Sequence, residues 1–233
     1  MSTVIGVDGC PGGWIAVRWG ETLSHHLCRS FTEVVALEAD VIAVDMPIGL
    51  PDVSGRAAER EVRAKLGERQ SSVFSVPSRA AVMCADYREA CSANLENSDP
   101  PKKVAKQIFY IFPKMREVDA VMTPALQSRI FEVHPELAFW AMNGERPLAL
   151  PKKVKGRPHP PGLDLRRALL EAGGFPLGLL PPASYRMADV GADDLLDACA
   201  CAWSARRLRE GRASRCPAIP PTNSRGLRMA IHA

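Results

Sequence analysis

The stretch VIGVDGCPGGW at residues 4–14 decides the fold, together with a second stretch, VIAVD, at residues 41–45. In each of them a short apolar run ends in an aspartate, Asp8 in the first and Asp45 in the second. Short, nearly continuous apolar runs are typical of strands that are buried on both faces. The GCPGG turn cannot continue a strand, so we expect the first strand to end at Asp8.

The residues between these two stretches predict how the strands pair. Residues 14–19 favour a second strand, and a turn at Gly20 and Glu21 leads into a third strand over residues 22–31, which gives three antiparallel strands. Thr32 can then cap a short helix. A helix before the next strand suits a crossover connection, so the strand at residues 41–44 should lie parallel to the first.

The remainder of the chain predicts one more strand and a series of helices. The alternation RIFEVH at residues 129–134 indicates the strand. Apolar periodicity, glycine stops and prolines predict helices over residues 54–66, 79–94, 102–122, 135–143, 163–172 and 192–210. A chain of 233 residues suits one core better than two, so we expect a single domain over residues 1–233, with residues 52–128 inserted as a helical cap.

The composition is that of an ordinary globular protein. Hydrophobic residues make up 46% and charged residues 24% of the chain, which excludes the disordered and fibrous classes. The N-terminus has no basic region, and Asp8 interrupts its apolar run, so we expect no signal peptide or membrane span and a cytoplasmic protein. Seven cysteines without a C-x-x-C pair predict reduced thiols rather than a disulfide framework or a zinc site.

The charge of the chain is compatible with a polyanionic partner. The formal net charge is +4, and the lysines and arginines gather in three groups. These groups are Lys102 to Arg116, Lys152 to Arg157, and Arg206 to Arg228. Any one group alone is typical of solvated surface, so the charge permits contact with nucleic acid without requiring it. The sequence leaves the oligomeric state open, a homodimer included.

Clustered aspartates are the chemical signal in the sequence. If the strands ending at Asp8 and Asp45 are parallel neighbours, the two carboxylates lie at one sheet edge, about 5 Å apart. Asp194 and Asp197 stand three residues apart and share a face of the last helix. Crowded carboxylates favour either raised pKa values or a hard cation such as Mg²⁺. Each of these aspartates also has a purely structural interpretation. Asp8 and Asp45 could be turn residues that make local hydrogen bonds, and Asp194 and Asp197 could be acids near the start of a helix that its dipole favours.

The opening VIGVDGCPGGW resembles the first strand and turn of RuvC-type Holliday-junction resolvases, and DDLLDACACAW at residues 193–203 resembles the helix that completes their metal site. Nearly the whole chain is similar to the family described as domain of unknown function 429, predicted ribonuclease H-like nucleases. The motifs that carry this similarity, in the family's order, are AVDMPIGLP (43–51), LGERQSSVFSVPSR (66–79), PKMREVD (113–119), FEVHPE (131–136), DDLLDA (193–198) and GLRMAI (226–231). The resemblance implies a ribonuclease H-like α/β fold, with a mixed five-stranded sheet flanked by helices.

The resemblance also implies a metal site for nucleic-acid hydrolysis. It gives Asp8 the role of bridging two metals, Asp45 a place on one metal, and Asp194 with Asp197 a place on the other, the metal being Mg²⁺ or Mn²⁺. RuvC-type resolvases usually have a glutamate where this chain has Asp45, which is one methylene shorter. Further candidate ligands are Asp193, Glu132 and Glu136. In two-metal hydrolysis one ion activates a water and the other stabilises the leaving oxygen.

Two further sets of residues are candidates for the chemistry. His134 could orient or deprotonate the attacking water, although a histidine before a proline is more often a packed or capping residue. The candidate phosphate clamps around the 66–79 motif are Arg63, Lys65, Arg69, Ser71, Ser72 and Arg79. For Arg63, Lys65 and Arg69, solvation on a helix surface is nearly as good an interpretation.

Two other functions fit the same pattern. Phosphoryl-transfer enzymes of the actin-like superfamily also have a first strand that ends in an aspartate and a glycine-rich turn, but they have a second such turn, and this chain has one after a strand. A non-catalytic nucleic-acid-binding protein on the same fold would bind with salt-dependent affinity and would not need Mg²⁺.

Overall fold

A five-stranded mixed sheet forms the centre of the computed structural model, which describes residues 2–233. Its strands are β1 (Val4–Cys10), β2 (Gly13–Trp19), β3 (Leu23–Cys28), β4 (Val41–Val44) and β5 (Ile130–Glu132). Their order across the sheet is β3-β2-β1-β4-β5, with the first three antiparallel and β1, β4 and β5 parallel. The α/β class and the mixed five-stranded sheet are thereby confirmed, and the arrangement is consistent with a ribonuclease H-like fold.

Helices cover both faces of the sheet. They are α1 (Phe31–Ala36), α2 (Ala57–Leu66), α3 (Arg79–Met83), α4 (Tyr87–Glu96), α5 (Lys106–Phe109), α6 (Phe112–Val121), α7 (Pro135–Met142), α8 (Pro160–Ala172) and α9 (Ala192–Arg209). Two short hairpins add β6 (Lys153–Val154) with β7 (Arg157–Pro158), and β8 (Arg215–Cys216) with β9 (Ile231–His232). Helices α2 to α6 all fall between the neighbouring strands β4 and β5, where the sequence predicts the cap.

Side chains of β1 alternate between the two faces of the sheet and contribute to a hydrophobic core on each face. Ile5 and Val7 are buried on the face that packs against Phe31, Phe112 and other apolar residues of the helices between β3 and β5. Val4 lies in a separate buried cluster with Cys201 of α9. Because successive residues of a strand point to opposite faces, the short apolar run at residues 4–7 serves both layers.

Gly6 allows α9 to lie directly on the sheet. A methyl group at this position would come within 1.9 Å of the backbone nitrogen of Ala202 and 2.2 Å of the carbonyl oxygen of Ala198. A side chain of any kind would therefore push the helix away. The close packing fixes the N-terminal half of α9 with respect to β1, which matters for the acidic residues described below.

Several element boundaries differ from the sequence expectations. The third strand ends at Cys28 rather than at residue 31, and Ser30, not Thr32, caps α1 by accepting from the amide of Glu33. The predicted helix over residues 79–94 is two helices, because Asp86 caps a new one. The predicted helix over residues 102–122 is likewise α5 followed by α6, with Pro113 in the first turn of α6. Capping side chains restart a helix where apolar periodicity alone predicts continuity.

Two further observations concern the cysteines and the length of the helices. All seven cysteines are free thiols, as the sequence predicts. Within residues 2–233, no helix combines the length and the apolar character that a membrane crossing requires.

Candidate functional site

Asp8 and Asp45 lie side by side at one edge of the sheet. Strands β1 and β4 pair in parallel, with Val7 opposite Val44, and the amide of Asp45 donates to the carbonyl of Val7 at 2.9 Å. The expected adjacency of the two strand ends is confirmed. Asp8 is 8% exposed, and its Oδ1 accepts a hydrogen bond from the amide of Gly9 at 2.8 Å.

Helix α9 brings three more aspartates towards this edge. Asp193 and Asp197 are buried, one helical turn apart. Asp194 is half-buried, and its Oδ2 accepts from the amide of Gly191 at 2.9 Å, so this side chain caps the start of the helix. The structural alternative, in which an acid in the first turn stabilises the start of the helix, therefore accounts in part for Asp194. Asp197 has no such role at the start of α9.

Burial and neighbouring carboxylates raise the pKa values of the two strand-end acids, Asp8 and Asp45. Burial, followed by the charges of Asp45 and Asp197, raises the pKa of Asp8 well above its usual range. Burial raises the pKa of Asp45 to about 6, where the charge of Asp197 adds to the effect and His134 and Lys152 oppose it. Asp197 contributes to the raised pKa of both Asp8 and Asp45, so the three carboxylates lie within range of each other's charge.

Lys152, just before β6, and Lys153, the first residue of β6, compensate the acids of α9. The ammonium of Lys152 pairs with Asp197, and it lies 3.9 Å from Asp193. Lys153 pairs with Asp193 at 2.6 Å. Although burial opposes the effect, Asp197, Asp8 and Asp45 raise the pKa of Lys152 above its usual value, so this residue stays a cation among the acids.

The donor set fits a hard divalent cation in chemical type. Asp8, Asp45 and Asp197 offer carboxylate oxygens, which Mg²⁺ and Mn²⁺ prefer, and they converge where charge is poorly solvated. Across residues 2–233, however, no three His, Cys, Asp or Glu side chains already surround a single point as metal ligands.

A cavity of about 370 Å³ opens beside the strand-end acids. One wall follows the ends of β1, β4 and β5 and includes Asp8, Asp45 and His134. The opposite wall comes from the helical segment between β4 and β5. Its lining residues there are Arg56, Glu59, Ser72, Val73, Phe74, Val76, Ile111 and Lys114.

His134 lies in this cavity, just before α7. Its Nε2 is 3.3 Å from the carbonyl oxygen of Ser72, and a carbonyl can only accept, so Nε2 carries a proton. Nδ1 is buried with no hydrogen-bond partner among the residues that the structure describes, and it is the atom that accepts a proton whenever the ring is neutral. A proton acceptor of this kind can serve as a general base.

The two candidate glutamates form buried ion pairs. Glu132 lines the cavity, but it accepts two hydrogen bonds from Arg56, at 2.5 and 2.8 Å, and one from the amide of Ile48 at 2.7 Å. Glu136 pairs with Arg166 at 2.6 Å and does not line the cavity. Charge compensation by arginine gives both glutamates a structural role in place of a free metal-binding carboxylate.

The candidate arginine clamps bind parts of the protein itself. Arg63 donates to the carbonyl of Val73 and to Ser75, and Arg69 donates to the carbonyls of Leu148 and Ala149. Arg79 pairs with Asp119 at 2.6 Å. None of the three lines the cavity. Their donors fix the loops of the helical segment, which leaves few donors for a phosphate.

The other clamp candidates differ among themselves. Lys65 lies 5.0 Å from the ring centre of Trp140, and Ser71 is exposed and outside the cavity. Ser72 reaches the cavity, where its hydroxyl donates to the carbonyl of Arg69 at 2.8 Å. Ser72 is thus the one of the six candidate clamp residues that lines the cavity.

Lys114 and Lys152 are the site residues that the sequence reasoning missed. Lys114 lines the cavity, crosses the end of β1 beside Gly9 and donates to the carbonyl of Gly13 at 2.5 Å. Both lysines belong to basic groups that, taken alone, indicate solvated surface. The signal for Lys114 was its place inside the PKMREVD motif, whereas nothing in the sequence pairs Lys152 with an aspartate 45 positions later.

Comparison with known proteins gives one match. The searches of curated proteins and of solved structures found no significant similarity. A family model described as protein of unknown function (DUF429) matches residues 6–222, which contain the two strand-end aspartates, the helical segment and the acids of α9. The chain therefore belongs to the DUF429 family.

Proposed function

We propose that the protein is a divalent-metal-dependent nuclease that hydrolyses phosphodiester bonds of nucleic acid. The observation that carries this proposal is the position of Asp8 and Asp45 at the ends of two adjacent strands that line an open cavity, where burial and the charges of neighbouring acids such as Asp197 raise the pKa of both. Groups with such perturbed titration in a cleft are typical of functional sites. Glu132 and Glu136 differ from these acids in that each pairs with an arginine, although burial also raises the pKa of Glu132 to about 7.

The residues at this edge have complementary roles in the proposed reaction. Asp8, Asp45 and Asp197, with Asp193 and Asp194 nearby, would hold Mg²⁺ or Mn²⁺, which supplies an activated water and neutralises phosphate charge. Nδ1 of His134, which has no hydrogen-bond partner among the described residues, would accept the proton that the attacking water loses as its oxygen bonds to phosphorus and the bond to the leaving oxygen breaks.

Lys114 supports binding of a polyanion at the same place. Its ammonium lies at the cavity wall, 4.6 Å from the ring centre of Trp14, with one recorded hydrogen bond to a backbone carbonyl. An ammonium group has three donor hydrogens, so at least one more acceptor can be bound there. A phosphate oxygen is such an acceptor, and a lysine contacts it as a point charge.

The direct test is a hydrolysis assay on single-stranded and duplex DNA and RNA, with and without Mn²⁺. We expect cleavage that needs the metal and falls at least 100-fold in Asp45→Asn, because this change removes a charge that only the site uses. Asp164→Asn is the matched control, since the Asp164 side chain is 69% exposed on α8. Mn²⁺ binding by the parent without any hydrolysis, or equal activity in Asp45→Asn, would refute the nuclease proposal.

A further inference from the structure

The cavity next to the acids has two chemically different parts. Asp8, Asp45, His134 and Lys114 supply polar and charged atoms on its wall. The rest of the lining is mainly apolar and includes Met46, Phe74, Val76, Ile111, Val133 and Ile231. Binding of a phosphate at the polar end does not use the apolar lining. We therefore expect the apolar part of the cavity to bind a different part of the ligand.

The size of the cavity limits what can enter. Its volume of about 370 Å³ lies near the lower end of the range of roughly 300–1,000 Å³ for small-molecule sites. A pocket that encloses a nucleobase can do so only when that base is unstacked, in a single strand or as an extruded nucleotide. A cavity of this volume is suited to one nucleotide unit.

The charged groups deeper in the cavity do not compete for that occupant. Arg56 and Glu59 line it, but Arg56 is 1% exposed and its donors go to Glu59, to Glu132 and to the carbonyl of Ile48. Because these charged groups are already paired, a ligand in this part of the cavity can contact the apolar side chains and Ser72. Recognition is therefore by shape and stacking more than by hydrogen bonds that distinguish one base from another.

We propose that this cavity binds the nucleobase attached to the scissile phosphate, with Phe74 as the stacking surface, so that the substrate is single-stranded or carries an unpaired base. Phe74 is half-buried at the cavity wall, on the loop that follows the 67–72 turn, and the lining has two aromatic rings, the phenyl of Phe74 and the imidazole of His134 at the polar end. This inference rests on the proposed function, since it assigns the substrate class of the same site.

Binding of small probes tests the base pocket without requiring hydrolysis. In EDTA, calorimetry of the parent protein should show AMP bound about 10-fold more tightly than ribose 5-phosphate, which has the same phosphate and sugar but no base. Phe74→Ala and Phe74→Leu should both lose this preference, while Met187→Ala, on an exposed residue outside the cavity, should keep it. Phe74→Leu retains apolar volume, so it removes stacking with the least disturbance of folding.

The results separate this inference from the proposed function. Equal affinity for AMP and ribose 5-phosphate in the parent, or a preference that survives in Phe74→Leu, overturns the base pocket even if metal-dependent hydrolysis is observed. A preference for AMP that depends on Phe74 supports the pocket even if no hydrolysis is detected, in which case the nuclease proposal fails alone. Cleavage of a fully paired, blunt duplex as fast as of a single strand also overturns the inference.

Discussion

The ammonium of Lys152 pairs with the carboxylate of Asp197, at the edge of the sheet where Asp8 and Asp45 also lie. Lys152 belongs to the segment that leads into β6, and Asp197 belongs to α9, so a loop residue provides positive charge to an otherwise acidic cluster. The Lys152 side chain is 35% exposed, and that of Asp197 is 3% exposed. A divalent cation that binds Asp197 must compete with this lysine.

Replacing Lys152 should therefore change metal affinity and stability in opposite directions. We expect Lys152→Gln to bind Mn²⁺ about 10-fold more tightly than the parent, because a competing unit charge is gone, and to lose about 1 kcal/mol of stability in EDTA, because Asp197 loses its partner. Mn²⁺ binding is read by electron paramagnetic resonance and stability by urea unfolding. Lys103→Gln, at an exposed position, is the control. Unchanged Mn²⁺ affinity in Lys152→Gln would show that the metal does not use Asp197.

Asp8→Asn tests whether the carboxylate cluster is adapted to a cation. The amide oxygen of asparagine can still accept from Gly9, while the repulsion with Asp45 and Asp197 is removed. Without metal the variant should be as stable as the parent or more stable by about 1 kcal/mol. Added Mn²⁺ should raise the melting temperature of the parent and do little for the variant, because the ion stabilises only the form that binds it.

Thermal melting of both proteins in EDTA and in Mn²⁺ measures this. If Asp8→Asn melts well below the parent in EDTA, and the parent gains nothing from Mn²⁺, then Asp8 is a structural hydrogen-bond acceptor. The metal-dependent function would then lose its main support.

The buried pair of Arg56 and Glu132 should contribute to folding and not to chemistry. Both side chains are almost fully buried, and Arg56→Met leaves Glu132 and Glu59 without their partner. We expect a loss of about 3–5 kcal/mol in urea unfolding, the usual cost of removing one partner of a buried ion pair. Adding Glu132→Gln to Arg56→Met should recover part of that loss. A double variant that is less stable by the sum of the two single effects would contradict this interpretation.

His232 should make the protein sensitive to mild acid. Its ring is largely buried between Phe131 and the carbonyl of Glu132, which its Nδ1 contacts at 3.0 Å. Burial lowers the pKa of His232 from its usual value of 6.5. The unfolded chain therefore takes up this proton first, so the stabilisation is complete above about pH 6.5 and is lost as the pH falls below it.

Urea unfolding of the parent and of His232→Gln at pH 7.5, 6.5 and 5.5 measures this contribution. The advantage of the parent should shrink as the pH falls over this range, because the unfolded chain takes up a proton that the folded protein binds less readily. Parallel pH profiles for the two proteins would show that His232 does not titrate differently in the folded state.

The main local features of the fold could be read from the sequence because they depend on short stretches. The apolar runs before Asp8 and Asp45 specify buried strands, and the helix between them specifies their parallel pairing, whatever the rest of the chain does. Element ends were less predictable. Asp86 starts a new helix within an apolar pattern that continues on both sides of it, since capping is a matter of individual hydrogen bonds and not of periodicity.

The sheet, the place of Asp8 and Asp45 at its edge and the acidic turn of α9 could all be predicted from the sequence, because strand pairing and helix spacing follow from local apolar patterns. Which charges remain available could be seen only in the folded protein. Glu136 and Arg79 look like site residues in the sequence, and each is paired with a partner far along the chain, Arg166 and Asp119. Lys152 looks like surface charge and lies against Asp197. Ion pairing depends on distances of a few ångströms between residues that the chain separates by 30 to 45 positions, and no local pattern encodes them.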